Sequence, residues 1–191
     1  MTALEAQNGR EAAELVPTNL AVGSRLLAAA TVFAFMGPAF AYFYLRSLNS
    51  NGMWRTAGIH PPQAYGAAVM ALLVASAVAL AIAPRTSRWR AAVACSLALG
   101  LAGVGVQCVE YTQLGFGPMS GGYASVFLGW TALSAVFALV TVLWLETLLA
   151  YGLRHSDAPP SVVGPRLSAL SFYWTFLAGL GVIMWAILYL V

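Results

Sequence analysis

Long stretches without a charged side chain alternate with short polar ones along this chain of 191 residues. The charge-free runs fall at Leu26–Leu45, Thr56–Pro84, Ala91–Val109, Tyr111–Leu145 and Leu167–Val191. A helix crossing membrane hydrocarbon needs about 20 apolar residues, so each run accommodates one span. The fourth run has length to spare, but Gly115, Gly117, Pro118, Gly121 and Gly122 break its beginning. The pattern therefore predicts an all-α membrane protein, a bundle of five transmembrane helices over Leu20–Leu45, Gln63–Ala83, Ala91–Leu114, Gly122–Leu153 and Leu167–Leu190. Residues 1–19 read as a short cytoplasmic segment, with helix potential around Arg10–Leu15 and a stop at Pro17. Residues 20–191 read as the membrane domain. Glu5, Glu11 and Glu14, with no leading basic region, predict no signal peptide.

Composition gives the same class. Hydrophobic residues make up 61% of the chain and charged ones 8%, with a mean hydropathy of +0.81. Soluble domains carry about 25% charged residues. A net charge of +3, dispersed along the sequence, argues against a nucleic-acid partner. The nine basic residues are all Arg, and their distribution sets the expected orientation. With the N-terminus inside, Arg10, Arg25, Arg85, Arg88, Arg90, Arg154 and Arg166 lie on the inner side, against Arg46 and Arg55 outside. This positive-inside bias predicts a cytoplasmic N-terminus and a periplasmic C-terminus.

The candidate chemistry is sparse. A heme, copper or di-iron centre in a helical bundle needs His or several carboxylates on inward helix positions, and the predicted spans offer none. His60 lies beside Pro61-Pro62 in a loop and reads as solvent-exposed. His155 and Asp157 are near each other without a third ligand, which reads as a solvated turn. Glu146 reads as an interfacial acid near the end of the fourth helix. Cys95 and Cys108 lie on one helix, too far apart for a disulfide, and read as small buried residues. Ala67, Ala71, Ala75, Ala79 and Ala83, and Ala94, Ala98 and Ala102, form small-residue stripes. Packing within the chain is the preferred reading of the first stripe, and a partner's docking face the alternative. Gly37-Pro38 predicts a kink in the first helix.

Glu110 stands apart as the only acid between Arg90 and Leu145. A carboxylate at membrane depth is costly unless paired or near water, so it marks a site. The first and third spans both end on the outer side, at Arg46 and Glu110. The two are therefore expected to form an ion pair, directly or through water, aided by Gln107 or Tyr111.

The residues around Glu110 carry a resemblance. Gln107, Glu110, Tyr111 and Leu114, followed by Tyr123, Ser125, Val126 and Phe127, resemble the most recognisable motif of subunit III of the heme–copper respiratory oxidases (the cytochrome c oxidase type). Pro17, Gly23, Met36 and the Phe40–Tyr44 aromatic run, and later Tyr173-Trp174 and Tyr189, are similar to further family positions. The departures lie deeper in the bundle. The family's buried glutamate falls at Val32, the two His of one helix at Ser134 and Phe137, and a His and an Asp at Thr175 and Ala178. The resemblance implies a divergent five-helix member equivalent to the family's last five helices. It implies a non-redox accessory role in a bacterial inner membrane, stabilising subunit I during oxygen reduction coupled to proton translocation. Heme and copper would reside in partner subunits, this chain binding no cofactor itself, with phospholipids as further partners. The related accessory protein of nitric oxide reductase is the close alternative, and a small transporter a more distant one.

Overall fold

A computed structural model describes residues 3–49, 52, 54–55, 58–155 and 160–191, with side chains for all of these except 3–14, 160 and 161. The elements among them are α1 (Ala3–Ser47), α2 (Gln63–Ile82), a short 3-10 turn (Ala83–Arg85), α3 (Trp89–Gln113), α4 (Gly122–Arg154) and α5 (Pro160–Leu190). All five α-helices are long and apolar enough to cross a membrane, the architecture of a multi-pass membrane protein.

Proline and glycine set most of the boundaries. Pro62, in an extended conformation, precedes α2, and Pro84 converts its end into the 3-10 turn. Gly121 opens α4 at φ 140°, a conformation that disfavours any residue with a Cβ. Two expected boundaries move. Helix α1 runs through Pro17 instead of stopping there, and Pro17 and Pro38 both lie inside it. Each interior Pro forgoes one backbone hydrogen bond, and α1 continues on both sides of it. Helix α5 begins at Pro160, before the expected Leu167, and holds Pro165 and Arg166 within its first turns. Pro160 suits the first helical position, where its missing N–H has no internal partner, while Pro165 lies inside the helix and forgoes one hydrogen bond.

The tightest packing is between α2 and α3, where glycine lets the backbones approach. A Cβ at Gly100 would meet Val142 at 3.0 Å and the Ser76 hydroxyl at 3.4 Å. One at Gly103 would meet Leu73 at 3.1 Å. The inward stripe of α3 is Val93, Ser96, Gly100, Gly103, Gln107 and Glu110. Facing it, α2 turns Gly66, Val69, Met70, Leu73, Ser76, Ala77 and Leu80 inward. The expected alanine stripes lie mostly the other way: Ala67, Ala71 and Ala75 on α2, and Ala94, Ala98 and Ala102 on α3, are exposed, while Ala79 is half-buried and Ala83, just past the end of α2, is buried. Cys95 and Cys108 are likewise exposed and free, not buried. Glycine sits inside where a neighbouring side chain presses on the helix backbone, and larger side chains fill the interior elsewhere on α2.

Helix α1 lies at the side of the bundle and, among the described residues, touches α4 and α5 but neither α2 nor α3. Ser24, Ala28, Thr31, Phe35 and Tyr42 form its buried stripe, while Leu26, Phe33, Met36, Phe40 and Phe43 stay exposed. Its middle is pinned by a 3.1 Å hydrogen bond between the Thr31 and Tyr173 hydroxyls and by Phe35 against Phe137, ring centres 5.9 Å apart.

Candidate functional site at the Glu110 end of the bundle

Glu110 lies one helical turn after Gln107 on the inward stripe of α3, and its side chain is fully buried. Residues three apart on a helix share a face, so Gln107 reaches the carboxylate directly. Its Nε2 donates to Glu110 Oε2 at 2.6 Å. The other oxygen, Oε1, accepts a short hydrogen bond from the Tyr189 hydroxyl at the end of α5. Both carboxylate oxygens thus rest on neutral donors, one from their own helix and one from a helix 79 residues away in sequence.

The tyrosine ring owes its position to Gly66. A Cβ there would collide with the Tyr189 ring, so only glycine lets it cross the start of α2. Gln63 Nε2 also donates to the Tyr189 carbonyl at 3.4 Å, a long bond. The last turn of α5 is held a second time by Tyr123, which donates to the Leu188 carbonyl at 2.6 Å. Carbonyls at a helix end lack internal partners, so this bond satisfies one that burial would otherwise strand.

Aromatic rings pack around this core. Trp54 stands edge-on between Tyr42, at 5.1 Å, and Tyr123, at 5.8 Å, and its carbonyl accepts from the Tyr123 amide at 2.8 Å. The Arg55 guanidinium sits 4.6 Å above the Tyr123 ring. Phe127 lies 5.4 Å from Tyr189, and Phe116 lies 5.7 Å from Phe127. The loop between α1 and α2 therefore closes the end of the bundle through one buried tryptophan, with a cation on its outer side.

Of the expected pair between Arg46 and Glu110, the direct form does not occur. Among the described residues no direct ion pair joins Arg46 and Glu110. Arg46 is exposed and donates to the Tyr42 hydroxyl at 3.3 Å, while Glu110 faces the interior toward Tyr189. The reason is rotational: equal depth on two helices does not bring two side chains together when α1 touches neither α2 nor α3.

The other expected positions divide. Gln107, Glu110, Tyr123, Phe127 and Tyr189 converge in one network. Tyr111 is half-buried and donates to Thr131 at 3.1 Å, and exposed Ser125 donates to the Gly121 carbonyl at 3.1 Å. Tyr173 and Trp174 lie elsewhere: Tyr173 meets Thr31, and Trp174 Nε1 donates to Ser76 Oγ at 2.9 Å. Val32 and Phe137 are half-buried, Ser134 and Ala178 buried, and Thr175 exposed. His60, Glu146 and His155 are exposed, with His155 stacked on Tyr151 at 4.6 Å; Asp157 lies outside the described residues. Among the described residues no three His, Cys, Asp or Glu side chains converge.

Sequence reasoning missed Trp54, Gln63 and Gly66. Pro61-Pro62 announced the start of α2, but nothing local to Gly66 signals a ring from the far end of the chain. The arrangement can hold and orient: it fastens the end of α3 to the end of α5 and, through Gly66 and Gln63, to the start of α2. It sets no nucleophile beside a base. Compared with protein-family models and with curated proteins, the chain matches none.

Proposed function

We propose that this chain is an accessory, non-redox membrane subunit of a terminal heme–copper oxidase, similar to subunit III. In this reading it stabilises the catalytic subunit while the complex reduces oxygen to water and translocates protons. The observation that carries the reading is the buried set Gln107, Glu110, Tyr123, Phe127 and Tyr189. These residues, which resemble family positions, are spread from α3 to the last turn of α5 and meet in one hydrogen-bonded and aromatic cluster. The five apolar helices fit a membrane partner role. Heme and copper belong to the partner subunits, with subunit I as the main contact.

The positive-inside count supports a bacterial inner-membrane protein with a cytoplasmic N-terminus and a periplasmic C-terminus. The Glu110 end then faces the periplasm. An accessory role beside nitric oxide reductase is the second reading, favoured by the loss of the family's deep ionisable residues at Val32, Ser134, Phe137, Thr175 and Ala178.

The test is gentle purification of the tagged chain from its native membrane, with subunit identification and a heme spectrum. An oxidase subunit I with its heme signature is the expected companion. A nitric oxide reductase catalytic subunit would select the second reading. Heme held in stoichiometric amount by this chain alone would overturn both.

A further inference from the structure

Helices α2 to α5 surround two small cavities that meet at Ser134 on α4. Ser134 lies roughly 18 Å along α4 from Gly122, deep within the apolar span. The first cavity is walled by Val69 and Leu73 of α2, Gly103 and Gln107 of α3, and Ser134 and Ala138 of α4. Its volume is about 10 Å³, room for one water molecule.

Both polar side chains on this wall have an unfilled hydrogen-bonding side. Ser134 is 7% exposed, and among the described residues its hydroxyl has no hydrogen-bond partner. Thr131 and Thr141, on the same helix, donate to the carbonyls of Phe127 and Phe137 four residues before them, and Ser134 makes no such bond. Gln107 is 6% exposed and gives its Nε2 to Glu110 at 2.6 Å. That bond turns the amide oxygen, Oε1, away from the carboxylate, and among the described residues no donor reaches it. Buried hydroxyls and amides are paired in the large majority of cases, with protein or with ordered water. A hydroxyl donor and a carbonyl acceptor on one water-sized cavity complement the two sides of a water molecule.

The second cavity, also about 10 Å³, shares Leu73, Ser134 and Ala138 and is walled on its other side by Trp174, Leu177 and Gly181 of α5. Trp174 Nε1 already donates to Ser76 Oγ, which leaves this cell the Ser134 hydroxyl alone among the described side chains. A buried water needs about two to four polar partners, so this cell stays dry.

We infer that the first cavity is an internal hydration site, in which one water molecule accepts from the Ser134 hydroxyl and donates to Gln107 Oε1. Through this water α4 joins the hydrogen-bonded network that Glu110 forms between α3 and α5. The same water holds the Gln107 amide in the orientation that presents Nε2 to the carboxylate. The walls carry no acid, which excludes a cation as the occupant, and the donor and acceptor disfavour an apolar guest. The inference stands independently of the accessory-subunit reading, since it requires only this chain in a bilayer.

The experiment is water-edited solid-state NMR on the isotope-labelled full chain in phosphatidylcholine bilayers, which reads magnetisation passed from water to nearby side chains. In wild type the Gln107 amide and Ser134 receive it, while Ser76, Ser96 and Trp174, buried and paired with one another, do not. Ser134→Val removes the hydroxyl, fills the space and lowers the transfer to Gln107 severalfold, whereas Ser76→Ala leaves that transfer unchanged. Circular dichroism verifies the fold of each variant; should Ser134→Val fail to fold, the wild-type contrast between Gln107 and Ser76 decides. Absence of transfer at Gln107 in wild type would overturn the proposal. Equal transfer at Ser76 and Ser96 would also overturn it, since water would then penetrate the bundle generally. Transfer to Gln107 that survives Ser134→Val would trace the signal to water at the end of the bundle and remove the site.

Discussion

Two buried polar clusters join the helices of this bundle by different chemistry. In one, Ser76 Oγ accepts from Trp174 Nε1 at 2.9 Å and donates to the Ser96 carbonyl at 2.6 Å, linking α2, α3 and α5 through neutral groups. In the other, roughly 21 Å further along α3, Glu110 rests on Gln107 and Tyr189. The neutral cluster is a set of dipoles, each costing a modest amount if a partner is lost. The acidic cluster concentrates its demand on one carboxylate without a direct cationic partner, so each of its neutral donors matters more. On this ground the donors to the Glu110 carboxyl are expected to carry more stability than those of the neutral cluster.

The sharpest way to break this comparison is Tyr189→Phe, which keeps the ring over Gly66 and removes one donor to Glu110. It is expected to cost about 3 kcal/mol, because a buried charged group loses a partner. Thermal unfolding in mild detergent measures it, and Glu110→Gln, which removes the charge and keeps an acceptor, should cost less than half as much. Gly66→Ala comes next: its Cβ forces the Tyr189 ring away, an overpacking cost of about 1–3 kcal/mol by the same measurement. Ser76→Ala tests the neutral cluster and should cost about 1–2 kcal/mol, since Trp174 Nε1 is left unpaired. A loss equal to that of Tyr189→Phe would remove the distinction between the clusters. Arg46→Ala should change stability by no more than about 0.5 kcal/mol, as for most exposed positions. Combined with Glu110→Gln, its effect should be additive, and coupling above ~0.5 kcal/mol would restore a direct or water-borne link between the two.

The helices were legible because the charge-free runs are long and the loops between them carry Arg, Pro and Gly. Gln63 and Gly122, the expected first residues of the second and fourth spans, open α2 and α4. What each helix turns inward was not legible. These helices are apolar all round, so the periodic contrast that marks a buried face in a soluble protein is absent. That is why Ala67, Ala71 and Ala75 read as an inner stripe when Gly66, Val69, Met70 and Leu73 occupy it. Glu110 was visible because a lone acid among apolar residues has few reasons to exist. Its direct partners are Gln107 and Tyr189 and not Arg46, because depth along the membrane can be read from a sequence and the neighbours of a helix face cannot. Tyr189 reaches Glu110 from 79 residues away, a pairing with no local signal.

The outward position of the two cysteines has a practical use. Cys95 and Cys108 are exposed on α3, one near each end of the helix, and separated by roughly 20 Å of rise. Thiol probes attached there sample two depths around the helix, and Cys95→Ser or Cys108→Ser leaves each site to be read alone. A membrane-embedded quencher of known depth would then rank the two sites and report the tilt of α3. The chain carries its own depth gauge.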